Sequence, residues 1–227
     1  MGHDQVLEAF QLECVALGDA VAGLSGAEWD LPTRCAPWTV RDLLGHVCVV
    51  IDWLPVMLDA PEPGGAEISA AEYYRPDDRF SPGTNARRIA LAQDRAAGPA
   101  DGAASAEDFA ATWRRADRLC RDQPGGRTVR TRHGDAMLLS EFVLTRVVEV
   151  TVHGLDMADA LGCEAWLTPA AGDAVAELLL GTEHATAADE LGWSRSRLLR
   201  KTTGREPLNG AETARVERLG IHWLALG

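Results

Sequence analysis

Lysine is almost absent from this chain of 227 residues: Lys201 is the only one, and the other 21 of the 22 basic residues are arginine. With alanine and glycine abundant, that bias points to a GC-rich coding genome rather than to a special task for arginine. Basic charge is scarce overall, and the formal net charge is −12. Nucleic acid and anionic membranes are thereby set aside as partners, because a polyanion is bound through a basic footprint. No apolar run approaches the roughly 20 residues of a membrane span. The opening Met1-Gly2-His3-Asp4-Gln5-Val6 lacks the basic flank and apolar core of a secretory signal, so a cytoplasmic protein is expected. Cysteine pairing is also unsupported. Cys14, Cys35, Cys48, Cys120 and Cys163 are odd in number, scattered and without a CxxC spacing, which suits small reduced thiols, with a thiol nucleophile as the minority reading. Aromatic residues make up only 6%, strand signals are sparse, and there is no internal repeat or low-complexity tail.

What is present is helical periodicity in a chain of ordinary apolar content, 46%, long enough for a proper core. Val6, Leu7, Phe10, Leu17 and Val21 predict a first amphipathic helix over 4–24. After the Pro-punctuated stretch Trp29–Trp38, Thr39-Val-Arg-Asp42 has the form of a helix start. It opens a nearly all-apolar helix over about 40–58, with His46 at its middle and Pro55 expected to kink or end it. Residues 59–83 hold four prolines around Tyr73-Tyr74 and read as a long loop. Further helices are expected over 85–97, from a capping box at Ser105-Ala-Glu-Asp108 to about 121, over 138–161 ending at Gly162, and over 169–181, 188–201 and 211–219. Residues 124–135 read as a loop with a short extended piece, and the apolar end, Leu219–Gly227, is expected to dock on the body. The expectation is an all-α protein: a four-helix bundle over 1–162 with a small, mainly helical extension over 163–227.

The helix over 138–161 holds a conflict. Arg146, Glu149, His153 and Asp156 fall within roughly 80° of arc on one face, in the most hydrophobic segment of the chain. Buried charge is costly unless paired or bound to a metal. Glu149 and His153 stand one turn apart at i, i+4 and can share an ion. Roughly 0.4 such pairs arise by chance in a chain of this composition, so the pair alone is a weak signal. His46, a lone imidazole on a second apolar helix, strengthens it. Two histidines and a glutamate make a three-donor set with open positions, the pattern of a catalytic rather than a closed structural site. The competing reading is a satisfied core histidine and a Glu149–Arg146 pair. A di-iron carboxylate bundle would need repeated Glu-x-x-His motifs, which the chain lacks.

The stretches Pro32-Thr-Arg-Cys-Ala-Pro-Trp-Thr-Val-Arg-Asp-Leu-Leu-Gly-His46 and Arg146-Val-Val-Glu-Val-Thr-Val-His-Gly-Leu-Asp-Met-Ala-Asp-Ala-Leu-Gly162 resemble the mycothiol-dependent maleylpyruvate isomerase family, within the DinB-like metal-dependent four-helix bundles. The resemblance covers roughly 5–162. It implies a divalent metal, usually zinc, held by His46, Glu149 and His153, and mycothiol as cofactor or co-substrate. A metal lowers the pKa of a bound thiol, and the thiolate can add reversibly to an activated double bond or displace a leaving group. The implied activity is therefore cis–trans isomerisation or S-transfer on a small electrophilic or anionic substrate. The departure lies after residue 162, where that isomerase carries an α/β domain and this chain reads as helical, so the substrate is left open.

Other residues carry two readings each. Arg146 binds an anionic group or neutralises Glu149. Asp156 and Asp42 orient the histidines or serve ordinary helix partners. Arg87 and Arg88 face an anionic ligand or water, and Trp53 walls the site or fills the core. Rival functions are a metal-dependent hydrolase or an enzyme of another thiol, and a non-catalytic binding bundle. The expected assembly is a monomer or homodimer.

Overall fold

The computed structural model describes residues 1–75, 81–181 and 184–219. Helix α1 (His3–Ala22) buries Val6, Leu7, Phe10, Cys14, Leu17 and Val21 along one face, the apolar stripe that helical periodicity requires. A single turn, α2 (Gly26–Trp29), leads into a loop closed by a bridge between Pro32 and Thr39. Helix α3 (Val40–Asp59) then opens on the expected capping box. The Asp42 carboxylate accepts from the Thr39 amide at 3.0 Å and the Thr39 hydroxyl at 2.8 Å.

Pro55 does not end α3, which runs on to Asp59. Proline removes one helical donor and crowds the carbonyl four residues back. Beside that weak point the Val50 carbonyl accepts from Arg146 Nη1 at 3.0 Å, so a side chain of another helix holds the disturbed turn.

Among its described residues, the long loop expected over 59–83 holds a helical turn, α4 (Ala70–Tyr73), capped by Ser69. Helix α5 (Pro82–Ala96) starts earlier than the expected position 85, because the Ser81 side chain caps it and Pro82 occupies its first turn. Helix α6 (Gly102–Arg121) likewise starts before Ser105. Asp101 wins the cap by accepting from the Ala104 amide at 2.9 Å, and Ser105 turns back onto the Asp101 carbonyl at 3.0 Å. The extended piece is an antiparallel hairpin of β1 (Thr128–Arg130) and β2 (Ala136–Leu138), in the register Val129 opposite Met137. Strand β2 feeds directly into α7 (Leu139–Leu161), which stops at Gly162 as expected.

Beyond it lie α8 (Pro169–Leu180), α9 (His184–Leu191), α10 (Arg195–Thr202) and α11 (Gly210–Arg218). The single helix expected over 188–201 is two, since Ser194 caps a new start with its hydroxyl accepting from the Arg197 amide. The apolar end expected to dock on the body lies, after Leu219, outside the described residues.

Helix α1 packs on α6 and α7, and α3 on the same two, so α1, α3, α6 and α7 make the four-helix bundle. Helix α5 lies outside on α3. Gly45 permits that approach: a Cβ there would stand 2.6 Å from the Ala92 carbonyl of α5. Helix α8 covers α1 and α7, and α10 packs on α8 and α7. The cover is tied down by Glu13 of α1, whose carboxylate accepts from the amide and hydroxyl of Thr168 at 2.9 and 2.6 Å. No helix among the described residues is long and apolar enough to cross a membrane.

Candidate metal centre and its pocket

Packing α3 against α7 brings His46 to Glu149 and His153. His46 Nε2 lies 3.4 Å and His153 Nε2 3.3 Å from the same atom, Glu149 Oε2. A tetrahedral ion with bonds of about 2.0–2.1 Å needs neighbouring donors about 3.3–3.4 Å apart, so the spacing fits one. Electrostatics point the same way. His46 is buried, and its pKa is pushed down to about 4, by burial first. Burial works against charge on Glu149 as well, yet hydrogen bonds from His153 and His46 and the charge of Arg146 hold its carboxyl well below the usual range. His153 is pushed well above a normal imidazole despite burial, by Asp156, Cys35 and Glu149. Glu149 thus keeps its negative charge between two imidazoles, a setting into which a cation fits.

The two imidazoles are oriented differently. His153 Nδ1 donates to Asp156 Oδ2 at 3.1 Å, which turns Nε2 toward Glu149, the arrangement of a metal-ligating histidine with a carboxylate behind it. His46 Nδ1 has no hydrogen-bond partner among the described residues. Its ring is instead stacked on Trp38, with centroids 4.7 Å apart and planes 24° from parallel.

These groups open onto a pocket with aromatic walls, including Trp38, Trp53 and Tyr73, and three arginines, Arg88, Arg132 and Arg146. Glu149 is its one acidic lining residue among those described. In a chain of net charge −12, three guanidiniums beside one lining carboxylate make this pocket locally basic. Arg132 lies over the Trp53 ring at 5.6 Å. Its pKa is lowered by burial and, in part, by the nearby charges of Arg88 and Arg146. An anion entering the pocket would relieve that crowding.

The residues singled out from sequence are distributed as follows. His46, Glu149 and His153 converge. Arg146 lines the pocket but donates to Val50 O and Thr145 Oγ1, and it acts on Glu149 through charge alone. Trp53 and Arg88 line the pocket, and Arg88 donates to Asn85. Arg87 is exposed, donates to Thr84 and is outside the lining. Asp156 is fully buried behind His153, and Asp42 is committed to the cap of α3. Sequence reasoning assigned no role to Cys35, Trp38, Arg132 and His133, which all line the pocket. Trp38 and Cys35 at least sit in the motif that ends at His46. Arg132 and His133 sit in a hairpin turn with no periodicity to mark them.

The fold and this site define a DinB-like helical bundle with a candidate three-donor metal centre between α3 and α7. Within that class the chain belongs to the family of the mycothiol maleylpyruvate isomerase N-terminal domain, whose sequence model matches residues 10–158. No curated protein matches the sequence. Among solved structures, a mycothiol-dependent maleylpyruvate isomerase is similar in fold, with a TM-score of 0.60, 16% identity, and 91% of this chain and 90% of that chain covered. A histidine-to-alanine variant of a mycothiol-dependent maleylpyruvate isomerase gives 0.52 at 17% identity, covering 78% and 68%.

Proposed function

We propose that this protein is a metal-dependent enzyme that uses mycothiol to isomerise, or to transfer sulfur to, a small anionic electrophile. The observation that carries the reading is the meeting of His46 Nε2 and His153 Nε2 at Glu149 Oε2, inside a pocket lined by three guanidiniums. In this reading residues 1–162 form the metal-binding bundle and 163–227 an extension packed on it, and the enzyme works in the cytoplasm, where its free thiols stay reduced.

His46, Glu149 and His153 would hold a divalent ion, zinc by the chemistry of two imidazoles and a carboxylate. Ion and mycothiol together would supply a thiolate at neutral pH, a nucleophile able to add to an electron-poor double bond and leave again. The chain's own residues do the rest. Asp156 accepts from His153 Nδ1 and would so leave Nε2 to the ion. Arg88, Arg132 and Arg146 offer hydrogen-bonded charge for carboxylate groups of the substrate. They would also stabilise negative charge that develops next to those groups during addition. Trp38, Trp53 and Tyr73 shut water away from the reacting centre.

The test is metal analysis of the purified full chain, with His46→Ala and Glu149→Ala alongside, followed by titration with mycothiol and turnover of cis-configured unsaturated dicarboxylates. Close to one ion per chain in the wild type and its loss in both variants is expected, with mycothiol binding only to the metal-loaded protein. Wild-type protein that takes up no divalent ion would sink the reading. Thioether product in place of geometric isomer would assign S-transfer.

A further inference from the structure

Asp156 is wholly buried and lies behind the metal centre. Its carboxylate does more than hold His153. Arg205 donates to it twice, from Nε to Oδ1 at 3.0 Å and from Nη2 to Oδ2 at 2.9 Å. The Arg205 side chain is only 6% exposed, so this is a buried bidentate pair of the kind that fixes geometry. Oδ2 is the same oxygen that takes the His153 Nδ1 proton. Arg205 therefore sets where that acceptor stands.

The placement of Arg205 is itself built with care. It follows the C-terminus of α10, where Gly204 adopts φ +73, a left-handed conformation open to glycine at no steric cost. The Arg205 amide donates to the Arg200 carbonyl at 2.6 Å and the Gly204 amide to the Lys201 carbonyl at 3.3 Å, a Schellman closure that turns the chain back toward α7. Arg34, from the loop ahead of α3, donates to the Arg205 carbonyl at 2.7 Å and holds the segment from the other side. Arg205 and the turn that carries it lie outside the stretch 10–158 matched by the family's N-terminal domain model, whereas Asp156 and Arg34 lie within it.

We infer that Arg205 is a positioning residue for the metal centre: through Asp156 it fixes the ring of His153, so the C-terminal extension completes a site whose donors all lie in the bundle. The inference rests on the metal-centre reading above. It assigns the extension a role in metal affinity that is separate from any contact with substrate.

The experiment compares full-length wild type, Arg205→Ala and Arg205→Lys. Zinc affinity is read by competition with a chromogenic chelator, the site geometry by the visible absorption of the cobalt(II) form, and the fold by far-UV circular dichroism. Loss of an outer partner of a ligating histidine weakens binding about 10–100-fold. That range is expected for Arg205→Ala, with a shifted cobalt spectrum and an unchanged fold. Arg205→Lys, which keeps the charge but not the fork, should recover part of the affinity. If Arg205→Ala does not fold, Arg205→Lys carries the test, with weaker zinc binding and an altered cobalt spectrum expected. Wild-type affinity and spectrum in whichever variant folds would overturn the inference while leaving the metal-centre reading intact. Failure of the wild type to bind metal would overturn both.

Discussion

The indole of Trp38 lies nearly flat on the imidazole of His46, with centroids 4.7 Å apart, and Nδ1 of that imidazole has no hydrogen-bond partner among the described residues. His153 meets Trp38 only edge-on, at 6.5 Å, and is held by Asp156 instead. One donor is thus oriented by stacking and the other by a carboxylate. Stacking of this kind contributes about 0.5–1.5 kcal/mol beyond the area it buries. Trp38→Ala should therefore weaken zinc binding by roughly 3–10-fold through freedom gained by His46, and Trp38→Phe should restore most of it. Isothermal titration with zinc checks both. Equal affinity in Trp38→Ala would show that α3 alone holds the ring.

Arg132 comes from the turn of the hairpin that leads into α7 and shares the pocket with Arg146 of α7 and Arg88 of α5. It is solvent-exposed and its guanidinium lies over the Trp53 ring, so an anionic substrate gains a hydrogen-bonding cation there. Arg132→Ala should raise KM for a dicarboxylate substrate by about 10-fold or more, as expected when a charged hydrogen bond worth about 1.5–3 kcal/mol is lost. The metal content should not change. Steady-state kinetics with mono- and dicarboxylate substrates provides the check, because a role in packing alone would affect both substrates equally.

The uneven legibility of this site has a physical basis. Glu149 and His153 were readable because the helical repeat fixes which side chains leave the same face. His46 was only half readable, because an imidazole on an apolar helix is equally open to a core role, and it was the resemblance of its motif to the family that favoured a ligand. Helix starts were less secure: Ser105 to Asp108 has the form of a cap, but Asp101 captures the first free amides instead. The end of α3, expected at about 58, falls at Asp59, and Pro55 is carried inside the helix, where Arg146 from another helix hydrogen-bonds to the nearby carbonyl of Val50. Arg132 and Arg205 were out of reach for a related reason. A hairpin turn and a helix cap carry no periodicity, and the positions of their side chains depend on the whole path of the chain.

Glu13 lies buried in α1, where burial raises its pKa while its hydrogen bonds with Thr168 oppose that rise. A carboxyl whose folded pKa stands above its unfolded value favours the protonated folded state. Its contribution to stability is full below the unfolded pKa and is lost as pH rises through the folded one. At neutral pH Glu13 is thus a net electrostatic liability, although its oxygen holds Thr168, the cap of α8. Glu13→Gln keeps an acceptor for Thr168 without the charge and should match or exceed wild-type stability at pH 7. The gap should close as pH falls below the ordinary carboxylate range. Thermal melts of both proteins between pH 7 and pH 4 test the sign, and a variant less stable at every pH would refute it.

A ligand that binds only the folded state stabilises it by mass action, about 2.7 kcal/mol at a free concentration 100 times Kd. For a chain of this size each kcal/mol raises the melting temperature by roughly 2–4 °C. Zinc at that excess should therefore raise the wild-type midpoint by about 5–10 °C over protein stripped with a chelator. His46→Ala should respond far less, since only Glu149 and His153 of α7 remain to bind the ion. Differential scanning fluorimetry with and without zinc decides it. An equal shift in wild type and His46→Ala would place the bound ion elsewhere on the chain, because nothing in the packing of α3 could then account for the gain.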